Sequence, residues 1–583
     1  MKFDDILEKH IGEFGAYQKT IYFLVSLPAV TEVIKILLPV FILATPKHRC
    51  SLPGLTNDTY AVQSEWHERL VNASIPWEQT EDSWEMSSCL MYQYENSTRL
   101  SPFQLSTNPE EENATRIQCN SWVYDHSEYM SAVSDFHMVC QYSDLKYHYL
   151  MIKFFGTFIG ATLCGFLSDL YGRKLLLISC ILLSLPATLI QLVSPFYWIF
   201  LTTHFFHGLF SAGVYTVLFV YIMEIIGPNY RMVAAILLEF FWIAGLLILV
   251  GAAYWIRDWK ILVTVLVSPT IFFILYIWII PESPRWLTSV GKYDEADKIL
   301  KKIAKSNNKT ETSRLLVSSV VDDVTGRNRA ESAKVWKLFT NCGLFARTAI
   351  CAYNRFILDL IYYGISLNVE HLGGNLYLNY TLSASVEAAA NIGMCLLFLV
   401  FGLGRRALYC GCTIFGALSF GLSALSMLYW GSRVSSLSLS LVMIGKLGIS
   451  ASCTTIYVHT SELFPTSVRS SVMAVLDLAG MFGGAVSPYI FEMSDFMKGR
   501  MSAAFPMLVY GVTALAGGLL ILLLPETKDK KMPDNIEDAL KSDVQDTSKH
   551  TVLPDVLATQ THYAAINGVT ERRAGGGGQS SSD

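Results

Sequence analysis

Gly165-Phe-Leu-Ser-Asp169-Leu-Tyr-Gly172-Arg173-Lys174 decides how the chain is read. An apolar run of helix length ends in a carboxylate, a tight glycine turn and two cations, and a second apolar run follows. This is a two-helix hairpin whose turn belongs in water on the cytoplasmic side, because Arg and Lys at a turn resist translocation. Three features then recur in order. Gly172-Arg-Lys returns as Gly404-Arg405-Arg406, Glu224-x6-Arg231 as Glu462-x6-Arg469, and Pro281-Glu282-Ser283 as Pro525-Glu526-Thr527. Each second member lies 232 to 244 residues after the first. One nearly constant offset marks an internal repeat, and repeated membrane halves are a mark of secondary transporters.

Composition agrees. Of 583 residues, 52% are hydrophobic and only 16% charged, with mean hydropathy +0.37. A spanning helix needs about 20 apolar residues. Twelve candidate spans follow, at 20–44, 148–168, 174–194, 197–223, 232–253, 260–280, 344–366, 378–400, 407–430, 436–460, 470–492 and 503–524. The fold expected is an all-α membrane protein with twelve transmembrane helices in two pseudo-symmetric six-helix bundles. Residues 20–280 hold the first bundle and 344–524 the second. A soluble enzyme is excluded on this composition, and a net charge of −5 gives no indication of nucleic acid binding.

The hydrophilic segments set the orientation. Residues 1–19 mix acids and bases without a cleavable leader, so the first span stays as an anchor. Residues 45–146 carry acceptor patterns for N-glycosylation at Asn57, Asn72, Asn96 and Asn113, beside Cys50, Cys89, Cys119 and Cys140. That combination reads as an extracellular loop with two disulfides, and four cysteines permit three pairings. Asn379-x-Thr381 is a further acceptor pattern, and Asn308-x-Thr310 is a decoy on the inner side. The middle loop, 281–343, opens with Pro281-Glu282-Ser-Pro-Arg285-Trp286. It continues into a basic amphipathic helix around Asp294–Ile303. Both termini are expected in the cytoplasm, and the tail, 525–583, reads as disordered.

As a set these motifs resemble the major facilitator superfamily. The Pro281–Leu287 stretch, Gly373-Gly-Asn-Leu-Tyr-Leu378 and Glu462-Leu-Phe-Pro-Thr-Ser-Val-Arg469 are similar to its organic ion branch, which includes organic cation and carnitine transporters. The resemblance covers residue 10 to about 528. It implies a plasma-membrane secondary transporter working by alternating access, without a cofactor or chemistry on its substrate. It pairs Cys50 with Cys119 and Cys89 with Cys140. It also assigns gating to Asp169, Arg173, Glu224, Arg231, Glu282, Arg285, Glu462 and Arg469. One departure is Phe401, where the branch often has an acid before the second-half glycine turn.

Ionisable side chains at membrane depth are costly and are functional candidates by default. Glu387, in the eighth span, resembles the acid by which cation-carrying relatives attract substrate. Tyr362, Tyr363 and Tyr457 could offer aromatic faces to an ammonium. Twelve residues beyond Arg469 stands Met481, where cation carriers of the branch have Asp and anion or carnitine carriers have Arg. Asp477, one turn earlier, is a partial substitute. Lys446 and Arg355 supply positive charge, so the expected cavity is of mixed sign. The expected substrate is an organic cation or zwitterion, with a co-transported ion left open. An organic anion carrier and a non-transporting receptor or scaffold are the rival readings. Glu32 and Lys35 share one face of the first span, as an internal pair or a pathway element. His204 and His207 have no companion cluster, so no metal is expected.

Overall fold

A computed structural model describes residues 7–528 except 54, 56, 80–83, 94–114, 228–229, 310–341, 373, 398–402, 432–434, 465–468 and 498. Asn96, Asn113, Phe401 and the C-terminal tail beyond Lys528 therefore lie outside the described residues, as does the side chain of Arg469.

Six long helices form the first half: α1 (Ala16–Leu37), α2 (Asp144–Tyr171), α3 (Arg173–Val193), α4 (Tyr197–Ile225), α5 (Arg231–Trp255) and α6 (Trp259–Val267). The last continues through 3-10 turns to Ile279. Six form the second: α7 (Cys342–Leu367), α8 (Leu376–Leu396), α9 (Arg405–Trp430), α10 (Ser435–Leu463), α11 (Arg469–Asp495) and α12 (Arg500–Leu520). Each expected span falls on one of them. Ten are long and apolar enough to cross a membrane, and α7 and α8 are the exceptions. Their sequences explain it, because α7 carries Arg347, Arg355 and Asp359, while α8 carries Glu387 among Asn and Ser residues. Large side chains such as Phe166, Trp198, Trp278, Leu418 and Phe482 are exposed on the outer surface, as a lipid-facing perimeter requires.

The halves meet mainly through α2 against α11 and α5 against α8. Their closest packing is at the end that bears the 43–143 loop. There Phe154 of α2 lies edge-on to Tyr363 at 4.8 Å, and Tyr254 of α5 meets Tyr377 of α8 at 5.6 Å. Phe41 packs on Tyr377 and Tyr380. A Cβ on Gly484 of α11 would come within 2.7 Å of the Phe154 ring, so glycine is what lets α2 and α11 approach this closely. At this end the two halves are closed on each other.

The loop is a small domain of three two-stranded antiparallel sheets. In it β1 (His48–Cys50) pairs with β6 (Trp122–Tyr124), β2 (Trp77–Gln79) with β3 (Trp84–Met86), and β4 (Leu90–Gln93) with β5 (Thr115–Gln118). Disulfides join Cys50 to Cys119 and Cys89 to Cys140. Asn57 and Asn72 are exposed, whereas Asn379 is buried on α8. Arg49, Asp58 and His67 form a buried ionic knot, with His67 Nε2 3.1 Å from Asp58. Burial pushes the Asp58 carboxyl up, but the Arg49 guanidinium, the Leu52 amide and His67 outweigh it and hold it below the usual carboxylate range.

At the other end of the bundles the three repeated features converge into one network per half. In the first, Arg173 bridges Glu224 at 3.0 Å and Asp169 at 2.8 Å, and Ser283 donates to Glu224. Glu282 accepts the backbone N–H groups of Arg173 and Lys174, the open N-terminus of α3. Gly172 turns between them with φ of 105°, a conformation that favours glycine. In the second half Arg405 pairs with Glu462 at 3.1 Å. Thr527 donates to Glu462 at 2.7 Å, and Glu526 accepts from the backbone of Arg405 and Arg406. Glu224 is met by Arg173 rather than Arg231, whose Nε donates to the Met223 and Ile226 carbonyls at the end of α4. Arg285 is half-buried on the short helix Pro284–Ser289. The helix Tyr293–Ser306 buries Ala296, Leu300, Ile303 and Ala304 against Leu7, Ile11 and Trp286, beneath the first half.

Two outcomes are expected. Because Asp58 titrates lower in the folded loop than in the unfolded chain, its contribution is fully present above about pH 4 and is lost as pH falls through the folded value. Protease resistance of the loop should hold at about pH 5 and fail below about pH 4, and Asp58→Asn should lose it at neutral pH. At the opposite end, Glu224 has 12% of its side chain exposed and Asp169 has 70%. Removing the buried partner of Arg173 costs about 3–5 kcal/mol, against about 0–1 kcal/mol for the exposed one. Glu224→Gln should therefore reduce surface abundance several-fold, while Asp169→Asn keeps it within about twofold and slows turnover. Surface biotinylation with uptake kinetics checks both.

Candidate functional site

The middle of the spans holds the charges that an apolar helix would not carry without a reason. On the second half they fall into two groups. In the first, Glu387 of α8 accepts a hydrogen bond from Tyr362 of α7 at 2.9 Å and lies 3.7 Å from Lys446 of α10. Lys446 donates to Ser366 at 2.8 Å and to Ser383, and its ammonium stands 5.1 Å over the Tyr362 ring. Trp242 of α5 donates to the Tyr362 hydroxyl at 3.0 Å, which carries the group across the interface between the halves. Ser366, Ser383, Glu387 and Lys446 are all buried.

In the second group Arg355 and Asp359 are one turn apart on α7 and pair at 3.2 Å. The Arg355 guanidinium stacks over Tyr457 of α10 at 4.6 Å, and Tyr457 donates to Asp477 of α11 at 3.0 Å. Gly480 of α11 rests against the Asp359 carboxylate, so this part of α11 sits flush on the α7 ion pair. Met481, the next residue, is half-buried. Tyr457 keeps 36% of its surface exposed, so this group is the more open of the two. Tyr363 packs on Tyr362 and on Phe154 and belongs to the closed end.

The sequence-predicted substrate residues are thus all on α7, α8, α10 and α11, but they do not form one cluster. Lys446 serves Glu387 and Arg355 serves Asp359 and Asp477. Sequence reading missed Glu239 on α5, a lone carboxylate in an otherwise apolar span. It stands one turn before Trp242, which donates to Tyr362, so it lies on the side of α5 that meets the second half. Tyr215 of α4 lies in its field and stacks edge-on to Trp242. Glu239 has no ion pair or hydrogen bond among the described residues and is partly exposed. Its signal was available as an ionisable residue eight positions into α5. Among the described residues at the interface, four carboxylates (Glu239, Asp359, Glu387 and Asp477) stand against two cations (Arg355 and Lys446).

Comparison with known proteins places this geometry. A family model described as sugar (and other) transporter matches residues 123–535. An organic cation transporter protein of Drosophila melanogaster is 33% identical over 546 residues, spanning 92% of this chain and 94% of that one. Solute carrier family 22 member 7 of Rattus norvegicus is 33% identical over 552 residues, spanning 94% and 99%. Among solved structures, the xylose transporter of E. coli in a partially occluded inward-open conformation superposes with a TM-score of 0.57. It has 15% identity and spans 88% of this chain and 100% of that one, a likeness of fold alone. The repeated halves, the charged interface between them and these relatives agree: the chain is a multi-pass membrane transporter, not an enzyme, and belongs to the sugar (and other) transporter family of the major facilitator superfamily.

Proposed function

We propose that the chain moves organic cations or zwitterions across the plasma membrane, by alternating access of the space between α7, α8, α10 and α11 and the facing α4 and α5. The observation that carries this reading is the surplus of carboxylate at that space, with Glu239 in no ion pair among the described residues. An ammonium leaving water needs a compensating charge or aromatic faces. Glu239 offers the first and Tyr215, Trp242 and Tyr362 the second. In a zwitterion the carboxylate would find Lys446 or Arg355 beside the same surface. The organic anion reading, led by those two cations, is weaker, because each already has an acidic partner within 4 Å. One relative is named an organic cation transporter protein and another, also of Drosophila melanogaster, an organic cation transporter-like protein, which favours the same substrate class.

In this reading the loop 45–146 is extracellular and both termini are cytoplasmic. The closed end then faces outward, and the paired networks of Arg173 and Arg405 sit at the inner gate, satisfied within their own halves. They would re-pair across the halves when the site opens outward.

Uptake of labelled tetraethylammonium, carnitine and a dicarboxylate into expressing cells tests the substrate class. Repeating it without sodium and after depolarisation tests coupling to an ion. Tetraethylammonium or carnitine should enter and the dicarboxylate should not. Glu239→Gln should weaken cation uptake at least tenfold in apparent affinity, about 1.4 kcal/mol, with normal surface abundance. Glu387→Gln should do so too, but with lower abundance, since it leaves Lys446 buried without its acid. Dicarboxylate uptake abolished by Lys446→Ala, with cation uptake unaffected by either glutamate change, would establish the anion reading instead. For topology, changing Asn57, Asn72, Asn96 and Asn113 together to Gln should remove nearly all of the mass shift produced by glycosidase.

A further inference from the structure

At the closed end, Thr45 joins three parts of the molecule at once. It stands just past the short helix Pro39–Ile42 that ends the first span, and Pro46 after it keeps the chain from continuing as helix. Its N–H donates to Glu370 at 3.3 Å, its hydroxyl accepts from Lys146 at 2.9 Å, and its carbonyl accepts from Tyr129 at 3.0 Å. Lys146 also pairs with Glu370 at 3.7 Å.

The three partners belong to different bodies. Glu370 lies on the 3-10 turn Val369–Leu372 between α7 and α8, so it moves with the second half. Lys146 is in the first turn of α2, in the first half. Tyr129 belongs to the loop domain, and its neighbour Met130 is stitched to the turn between α5 and α6. The Met130 N–H donates to the Arg257 carbonyl at 2.8 Å, and the Met130 carbonyl accepts from the Trp259 N–H at 3.3 Å. Asp135 of the loop adds an ion pair with Lys260 at 2.8 Å and accepts from Trp259 Nε1 at 3.2 Å. The loop domain is therefore fixed to the first half, and a hydrogen-bond path runs from it to the second through Tyr129, Thr45 and Glu370.

This junction differs from the networks at the opposite end. The ion pairs of Arg173 and Arg405 each stay within one half, whereas Lys146 and Glu370 join the two. Any separation of the halves here takes Glu370 away from both Lys146 and the Thr45 N–H. The rings of Phe41, Phe154 and Tyr254 against Tyr363, Tyr377 and Tyr380 close the same end by apolar contact, which has no fixed direction. The polar junction supplies that direction. Lys146 is 13% exposed and Glu370 27%, so water can replace their partners when they part.

We propose that Thr45, Lys146 and Glu370 form a releasable latch on the closed end, and that the loop domain sets its strength through Tyr129. The Tyr129 hydroxyl holds the Thr45 carbonyl and so fixes where Thr45 presents its N–H and hydroxyl. All four are positioning residues, acting on the closure between the halves and not on a transported compound. The loop domain is then a working part of the closure as well as a cover over it.

The place of this latch in a transport cycle rests on the transporter reading. The latch itself is tested on the purified full chain, where neither carriage of a compound nor orientation in a membrane enters. Ala384 of α8 is 1% exposed, in the core that also holds Phe41, Tyr363 and Tyr380. It is changed to Cys, and the rate at which a maleimide labels that position is read by mass spectrometry. Added to Ala384→Cys, Glu370→Gln and Lys146→Met should each raise the rate at least about threefold. Lys146→Arg keeps the charge and should raise it less than about 1.5-fold. Tyr129→Phe should raise it at least about twofold, and combined with Glu370→Gln it should give less than the product of the two effects. Cys351, 0% exposed in the core of the second half, should label at an unchanged rate throughout. Equal labelling of residue 384 in the parent, Glu370→Gln and Lys146→Met would overturn the latch, and so would a matching rise at Cys351, which reports general loosening. An unchanged rate in Tyr129→Phe would overturn the part given to the loop domain.

Discussion

An ion in a membrane interior has no water to fall back on, and this constraint orders the whole molecule. Each charge near the centre of a span costs about 2.5–3.5 kcal/mol to place there on insertion scales. The chain nonetheless keeps five carboxylates and four cations well inside its helices: Glu32, Glu239, Asp359, Glu387 and Asp477 with Lys35, Lys153, Arg355 and Lys446. None of them points at lipid. They occupy the interior of the first half and the surface between the halves, where one helix can answer another. The apolar perimeter and the polar seam are thus two consequences of one cost.

The same constraint, relaxed, explains the helix ends opposite the loop. There a turn must be tight and its open N–H groups must be satisfied. One glutamate after the last helix of each half does this, Glu282 for α3 and Glu526 for α9. An arginine in the first turn of α3 or α9 then binds a glutamate near the end of α4 or α10. These groups belong to the three features that recur along the sequence, and in each half the fold brings the glycine turn, the glutamate of the second feature and the glutamate of the third together in space. Repetition in the chain is therefore repetition of a local solution. The halves differ where it is least constrained, with Ser283 in one and Thr527 in the other completing the bond to the glutamate.

This explains what could be read from residues alone. Span number, the paired halves and the loop domain were legible because each depends on runs or offsets long enough to exclude chance. The disulfide pairing came only from resemblance, and the structure has the same two bridges. The identities of charged residues at membrane depth were legible as well, but their partners were not. The residues alone offered Lys446 as an internal partner for Asp477, and the packing of α10 and α11 on α7 directs it instead, through Tyr457, to Arg355. Glu239 and Lys153 were overlooked because the apolar sequence around them makes an ordinary span. The contact of Lys153 with the Lys35 carbonyl depends on Pro39, 114 residues earlier, and no local pattern links the two.

Two unequal charge balances follow from this arrangement, and they have opposite sign. The surface between the halves has four carboxylates against two cations, and the interior of the first half has two ammonium groups against one carboxylate. A positive ligand, as proposed, would relieve the first imbalance. Phe154 and Tyr363 stand between the two regions, the one next to Lys153 and the other next to Tyr362, whose hydroxyl binds Glu387. A cation arriving at Glu239 and Glu387, as proposed, would act on one side of this aromatic contact. That contact is where the halves close, so a change of charge on either side alters the stability of the closure itself.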